Sequence, residues 1–89
     1  MITLEYSSHF LNSRKKYLKN NSVKVEKAIK SLTFFVKNPN HPSLKMEKLV
    51  NSSVWTIRID KGDRMFFVWK DKNTALFLDI GKHDKYRNF

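Results

Sequence analysis

No cysteine occurs in the 89 residues, which excludes disulfides and thiolate metal sites and suits a reducing cytoplasm. Glycine and proline number two each, and no linker, repeat or low-complexity tract interrupts the chain. No apolar run approaches the ~20 residues of a membrane span. The N-terminus also lacks a basic region followed by an apolar one, the pattern of a secretory signal. Acidic residues are scarce as well: 8 Asp and Glu stand against 18 Lys and Arg, a formal charge of +10. Such self-repulsion is tolerated for some reason, and nucleic acid, an acidic protein partner, or both would explain it. Together these absences predict a soluble intracellular protein.

What is present is enough apolar material for one core. Seven Phe, three Tyr and two Trp make the chain too aromatic for a disordered tail. A chain of this length buries roughly 60 to 68% of its unfolded surface, which supports a single domain over residues 1–89 and no second one.

Residues 2–6, ITLEY, alternate as a short strand with Ile2, Leu4 and Tyr6 on one face. Ser7 or Ser8 then caps a helix with Phe10, Arg14, Tyr17 and Leu18 at helical spacing, ending near Asn20 and Asn21. A second helix is predicted over Ser22–Lys37, its apolar stripe formed by Val25, Ala28, Ile29, Leu32, Phe35 and Val36. Asn38 and Pro39 stop it. The short connection makes the two helices an antiparallel hairpin. Residues 39–53 show no clear period. From Val54 the period becomes two, in VWTIRID, RMFFVWK and TALFLDI, separated by the turn signals DKGD and KDKN. That predicts a three-stranded antiparallel meander. The order βααβββ is a small α+β domain, an antiparallel sheet with a two-helix hairpin packed on one face.

The first turn decides which residues share a face. A three-residue loop of Asp60, Lys61 and Gly62, with the glycine left-handed in a bulge, pairs Ile59 with Asp63 and sets Arg58 opposite Arg64. Trp55, Ile57, Ile59, Met65, Phe67 and Trp69 then form the other, apolar face. A two-residue loop would place Arg64 beside Ile59 and bury its charge at high cost. The three-residue loop is therefore expected.

On this register Arg58 and Arg64 share an open face with Thr56, Phe66 and Val68. Two neighbouring guanidiniums repel each other and suit an anion, phosphate matching their planar donors. The alternative is that Asp60, Asp63 or Asp79 neutralises each of them. Beyond the last strand, DIGKHDKYRNF crowds Lys82, His83, Lys85 and Arg87 together. His83 has only Asp84 as a nearby donor, and no spacing resembles a zinc site, so neither metal nor other cofactor is expected. His9 and His41 read as surface or packing residues. In KMEK, Glu47 between lysines is either part of a solvated edge strand or a carboxylate kept ionised to act as a base. Tyr86 and Phe89 either stack on nucleic-acid bases or cover the end of the sheet.

Taken in order, KMEKL, VWTIRIDKGDRMFFVW and LDIGKHDKY resemble the RelE/ParE superfamily of bacterial type II toxins over nearly the whole chain. The RelE-like branch has a basic or acidic residue before the sheet, an arginine opening its middle strand, and arginine or histidine just after the last strand. Those places hold Glu47 and Lys48, Arg64, and His83. The resemblance implies a cytoplasmic endoribonuclease that cuts mRNA in the ribosomal decoding site without a metal and is restrained by an acidic antitoxin that wraps it. It implies Glu47, or a deprotonated Lys48, as base, Arg58 and Arg64 as phosphate clamp, and His83 as acid. Lys45, Lys82, Lys85, Tyr86 and Phe89 would contact the RNA. Relatives of the ParE type keep the fold but inhibit DNA gyrase without cutting RNA, and a non-toxic relative would use the same face only to bind antitoxin.

Overall fold

A computed structural model describes residues 1–89. Strand β1 (Thr3–Tyr6) passes through Ser7 into α1 (Ser8–Leu18), and the Ser7 hydroxyl accepts from the Phe10 N–H to cap it. Asn20 turns the chain in the left-handed region (φ 53°), a conformation asparagine tolerates. Asn21 then caps α2 (Ser22–Lys37) by accepting from the Lys24 N–H. A 3-10 turn (Pro42–Leu44) leads to β2 (Glu47–Lys48), β3 (Trp55–Asp60), β4 (Asp63–Asp71), β5 (Thr74–Lys82) and a C-terminal 3-10 helix (His83–Asn88). No helix is long and apolar enough to cross a membrane.

The strand order is β1-β5-β4-β3-β2. The meander and the helical hairpin match their periodicities, but the sheet is mixed rather than wholly antiparallel. β1 lies parallel to β5, from Thr3 beside Thr74 to Tyr6 beside Phe77. A parallel pair needs a long connection, and the hairpin with the intervening strands supplies it. β2 is a fifth strand, pairing Glu47 with Thr56 and Lys48 with Trp55. Two residues are too few for any period to register.

The helices cover one sheet face and enclose a core of Phe10, Phe35, Ile57, Met65, Phe67 and Phe77 among others. Phe35 sits edge-on to Phe67 and Phe77, with ring centroids 5.1 and 5.6 Å away. The buried line of α2 runs through Ala28, Ser31 and Phe35, and Ile29, expected in it, is 60% exposed. The Ser31 hydroxyl donates to the Arg58 carbonyl at 3.1 Å and pins that side of α2 to β3. Ile29, two residues back, projects roughly 200° around the helix.

The β3–β4 turn reaches the expected register by another route. Arg58 does pair with Arg64, yet Asp60 pairs with Asp63, so the loop is the two residues Lys61 and Gly62. The irregularity falls at Ile59, between Arg58 and Asp60. Gly62 is not left-handed; Gly81 is the glycine with positive φ. The bulge absorbs the residue that the shorter loop releases, which keeps Ile59 in the core and Arg64 on the opposite face.

Candidate active site

On the face away from the helices, one cross-strand row runs Glu47, Thr56, Phe66, Asp79, and the next runs Arg58, Arg64, Gly81. This face is not open as expected: Thr56 and Phe66 are buried, at 1% and 0% exposure. The C-terminal helix folds back over them, and Phe89 stacks on Phe66 with centroids 5.2 Å apart. The Thr56 hydroxyl is left buried without a hydrogen-bond partner.

Between that helix and β2 lies a groove of about 430 Å³. Glu47, Lys48, Leu49 and Val50 form one wall, and His83, Tyr86, Arg87 and Phe89 the other. A 3-10 helix repeats every three residues, which aligns His83, Tyr86 and Phe89 on one side. The helix start is fixed by the His83 N–H donating to the Gly62 carbonyl at 2.8 Å. The His83 and Tyr86 rings are 5.6 Å apart, and the Arg87 guanidinium lies 5.9 Å from the Tyr86 ring centroid. Across the groove, strand alternation puts Glu47 on the Thr56 face and Lys48 on the Trp55 face. The carboxylate is thus the β2 group set over the sheet floor, with Lys48 at the rim. A carboxylate, an imidazole, a guanidinium and an aromatic ring around one groove can move protons at, and hold charge on, a phosphodiester.

No protein-family model matches the sequence, and no curated protein matches it either. Solved structures do. YafQ from E. coli aligns with a TM-score of 0.77 at 17% identity, covering 97% of this chain and 98% of that chain. A YoeB/ParE toxin from Agrobacterium tumefaciens aligns at 0.75 and 15% identity, covering 92% and 99%. The YoeB–YefM complex from Staphylococcus aureus gives 0.73 and 21%, covering 93% and 98%. The chain shares the fold of these toxin structures.

On this fold Glu47, Lys48, His83, Tyr86 and Phe89 all line the groove. Arg58 and Arg64 sit opposite each other, one row along the sheet and outside the groove lining. No ion pair involves an arginine. Lys27 bonds Asp60 at 2.8 Å and holds its carboxyl below the usual range, Asp63 accepts from the Tyr17 hydroxyl, and Asp79 takes Lys85. The carboxylates that could have neutralised the arginines are engaged elsewhere. Arg64 donates instead to the Asp60 and Asp63 carbonyls, each at 3.0 Å, which leaves its charge uncompensated.

The remaining cations divide differently from expectation. Lys45 caps the 3-10 turn in the left-handed region (φ 47°), outside the groove. Lys82 lines a separate cleft with His9 and Tyr17. Lys85 turns inward, its ammonium 3.0 Å from Asp79 and 3.2 Å from the Ile80 carbonyl, where it supplies the counter-charge without which the buried carboxylate would be costly. Arg87 lines the groove although it was not singled out; in a basic tail without an apolar period, nothing marks which cation faces Tyr86. His41 stacks on Phe34 at 4.1 Å, and His9 Nε2 lies 3.3 Å from Asp79. No three His, Asp or Glu side chains gather into a group able to hold a metal.

Proposed function

We propose that the chain is the toxin of a type II toxin–antitoxin pair, a cytoplasmic, metal-independent endoribonuclease that cuts mRNA in the ribosomal decoding site. The groove supports this reading: a carboxylate, an imidazole, a guanidinium and an aromatic ring, the kinds of group such cleavage would use, line it from β2 and the C-terminal helix. Structural neighbours include a YoeB–YefM toxin–antitoxin complex and a DinJ–YafQ complex. An antitoxin partner of this chain would be acidic, answering its +10 charge.

In the proposed reaction the Glu47 carboxylate takes the proton of the 2′-hydroxyl, and that oxygen attacks the adjacent phosphorus. The bond from phosphorus to the 5′ oxygen breaks as His83 protonates the departing oxygen. The products are a 2′,3′-cyclic phosphate and a 5′-hydroxyl end. Arg87 in the groove, with Arg58 and Arg64 in the adjacent row and Lys48 at the rim adding longer-range attraction, would stabilise charge on the phosphorane. Strand alternation favours Glu47 over Lys48 as base. Tyr86 and Phe89 are about equally exposed, at 42% and 43%, but Phe89 already has one face on Phe66, so Tyr86 is the ring proposed to stack on a base of the RNA.

In a reconstituted translation system, folded His83→Ala and Glu47→Gln variants should each cleave on the order of 10²-fold more slowly than wild type. Undiminished cutting by folded His83→Ala removes the acid from the mechanism. Intact mRNA together with blocked supercoiling by gyrase would assign the chain a ParE-like action instead.

A further inference from the structure

His83 opens a six-residue 3-10 helix that has no side-chain cap. Such helices have poor hydrogen-bond geometry, yet a catalytic group must be held to about 0.5 Å to work. The holding device is in β5. Phe67 and Phe66 are consecutive, but their partners are Phe77 and Asp79, so Leu78 is an extra residue in the strand. Strict alternation from Phe77 would send Asp79 into the core; the extra residue moves it to the groove side and returns Ile80 to the core.

Asp79 is 2% exposed. Its Oδ1 accepts from the Ile80 N–H at 2.8 Å and from Lys85 Nζ at 3.0 Å. Burial opposes the charge, but the Lys85 and Ile80 donors outweigh it and hold the carboxyl below the usual range. The Lys85 stem lies against the backbone of Gly81: a Cβ there would stand 2.8 Å from Lys85 Cε and 3.1 Å from Cδ. Gly81 also has φ 152°, a conformation that favours glycine. Lys85 is two residues past His83 in the same helix, so the ion pair ties the middle of that helix to the strand before it.

We propose that Asp79 and Lys85 are positioning residues: a buried ion pair, admitted by the Leu78 bulge and the bare backbone of Gly81, clamps the C-terminal helix to β5 and sets where His83 and Tyr86 stand on the groove wall. Lys85 spends its charge on geometry rather than on RNA. The catalytic half of this inference rests on the nuclease reading; the clamp itself does not.

Two full-length variants test it. Asp79→Asn/Lys85→Met removes both charges and leaves none unpaired in the core, and Gly81→Ala displaces Lys85 while keeping both charges. Backbone heteronuclear NOE values and cleavage kinetics are measured on each. NOE values for residues 83–88 should drop while those of β3 to β5 hold, and kcat should fall by on the order of 10²-fold with KM little changed, as for a misplaced catalytic group. Unchanged NOE values in a folded variant overturn the clamp. Lowered NOE values with wild-type kcat overturn the positioning role. A wild-type chain that cuts no RNA overturns the nuclease reading, and the NOE values then decide the clamp alone.

Discussion

Thr56 sits in the row between Glu47 and Phe66 with a buried hydroxyl that bonds to nothing. An orphaned polar group of this kind costs about 1–3 kcal/mol. Thr56→Val keeps the shape and removes the cost, so urea titration should show it more stable by about 1 kcal/mol; a destabilised variant would mean that the hydroxyl has a partner. Asp79 and Tyr17 each contribute to the pH dependence of stability, one at the acid end and one at the alkaline end. The folded-state Asp79 carboxyl lies below its ordinary 3.8, so its stabilisation is present above about pH 4 and is lost as pH falls through the lower folded-state value. Tyr17 is raised above its ordinary 10.0, first by burial and then by its bond to Asp63. Its contribution is complete below that pH and is lost as pH rises beyond it. Acid unfolding should therefore be steeper in wild type than in Asp79→Asn, and alkaline unfolding steeper than in Tyr17→Phe. Parallel curves would contradict these linkages.

Elements with a sustained period were legible. The bounds of α2, Ser22–Lys37, and the β3–β4–β5 meander follow from spacing together with the Asn38–Pro39 stop and the turn signals. The parallel partnership of β1 with β5 was not, because Tyr6 and Phe77 are joined by no local pattern. The β3–β4 turn shows how a correct register can come from a wrong loop: burial required Arg58 opposite Arg64, and either a longer loop or a bulge satisfies that requirement. Of the groove, Glu47, Lys48 and His83 are marked through the resemblance to RelE-like toxins, and Tyr86 and Phe89 as tail aromatics with two readings each. The inward turn of Lys85 and the groove position of Arg87 could not be read from sequence, because a short polar helix has no apolar stripe to fix its facing. The rotation of α2 gives the sharpest element-scale test. Phe35→Ala should cost about 3–5 kcal/mol, while Ile29→Lys, at a position 60% exposed, should stay within about 0.5 kcal/mol. A large loss at Ile29 in urea titration would put the buried stripe back where the spacing first placed it.

At the scale of the whole molecule, the +10 charge and the walled groove belong to one account. In the proposed reading, cations spread over both helices and the tail raise the local concentration of a polyanion, and the groove would supply the chemistry. Association with RNA or ribosomes should weaken steeply and log-linearly with salt, as counterion release demands; a flat response would detach the charge from the function. The most direct test of the central claim is to express the chain alone and map the 5′ ends of cellular mRNA, with folded His83→Ala alongside. The wild-type chain should produce new 5′-hydroxyl ends in phase with translated codons, and the variant should produce none. Growth arrest with intact mRNA, or equal cutting by both proteins, would contradict the account.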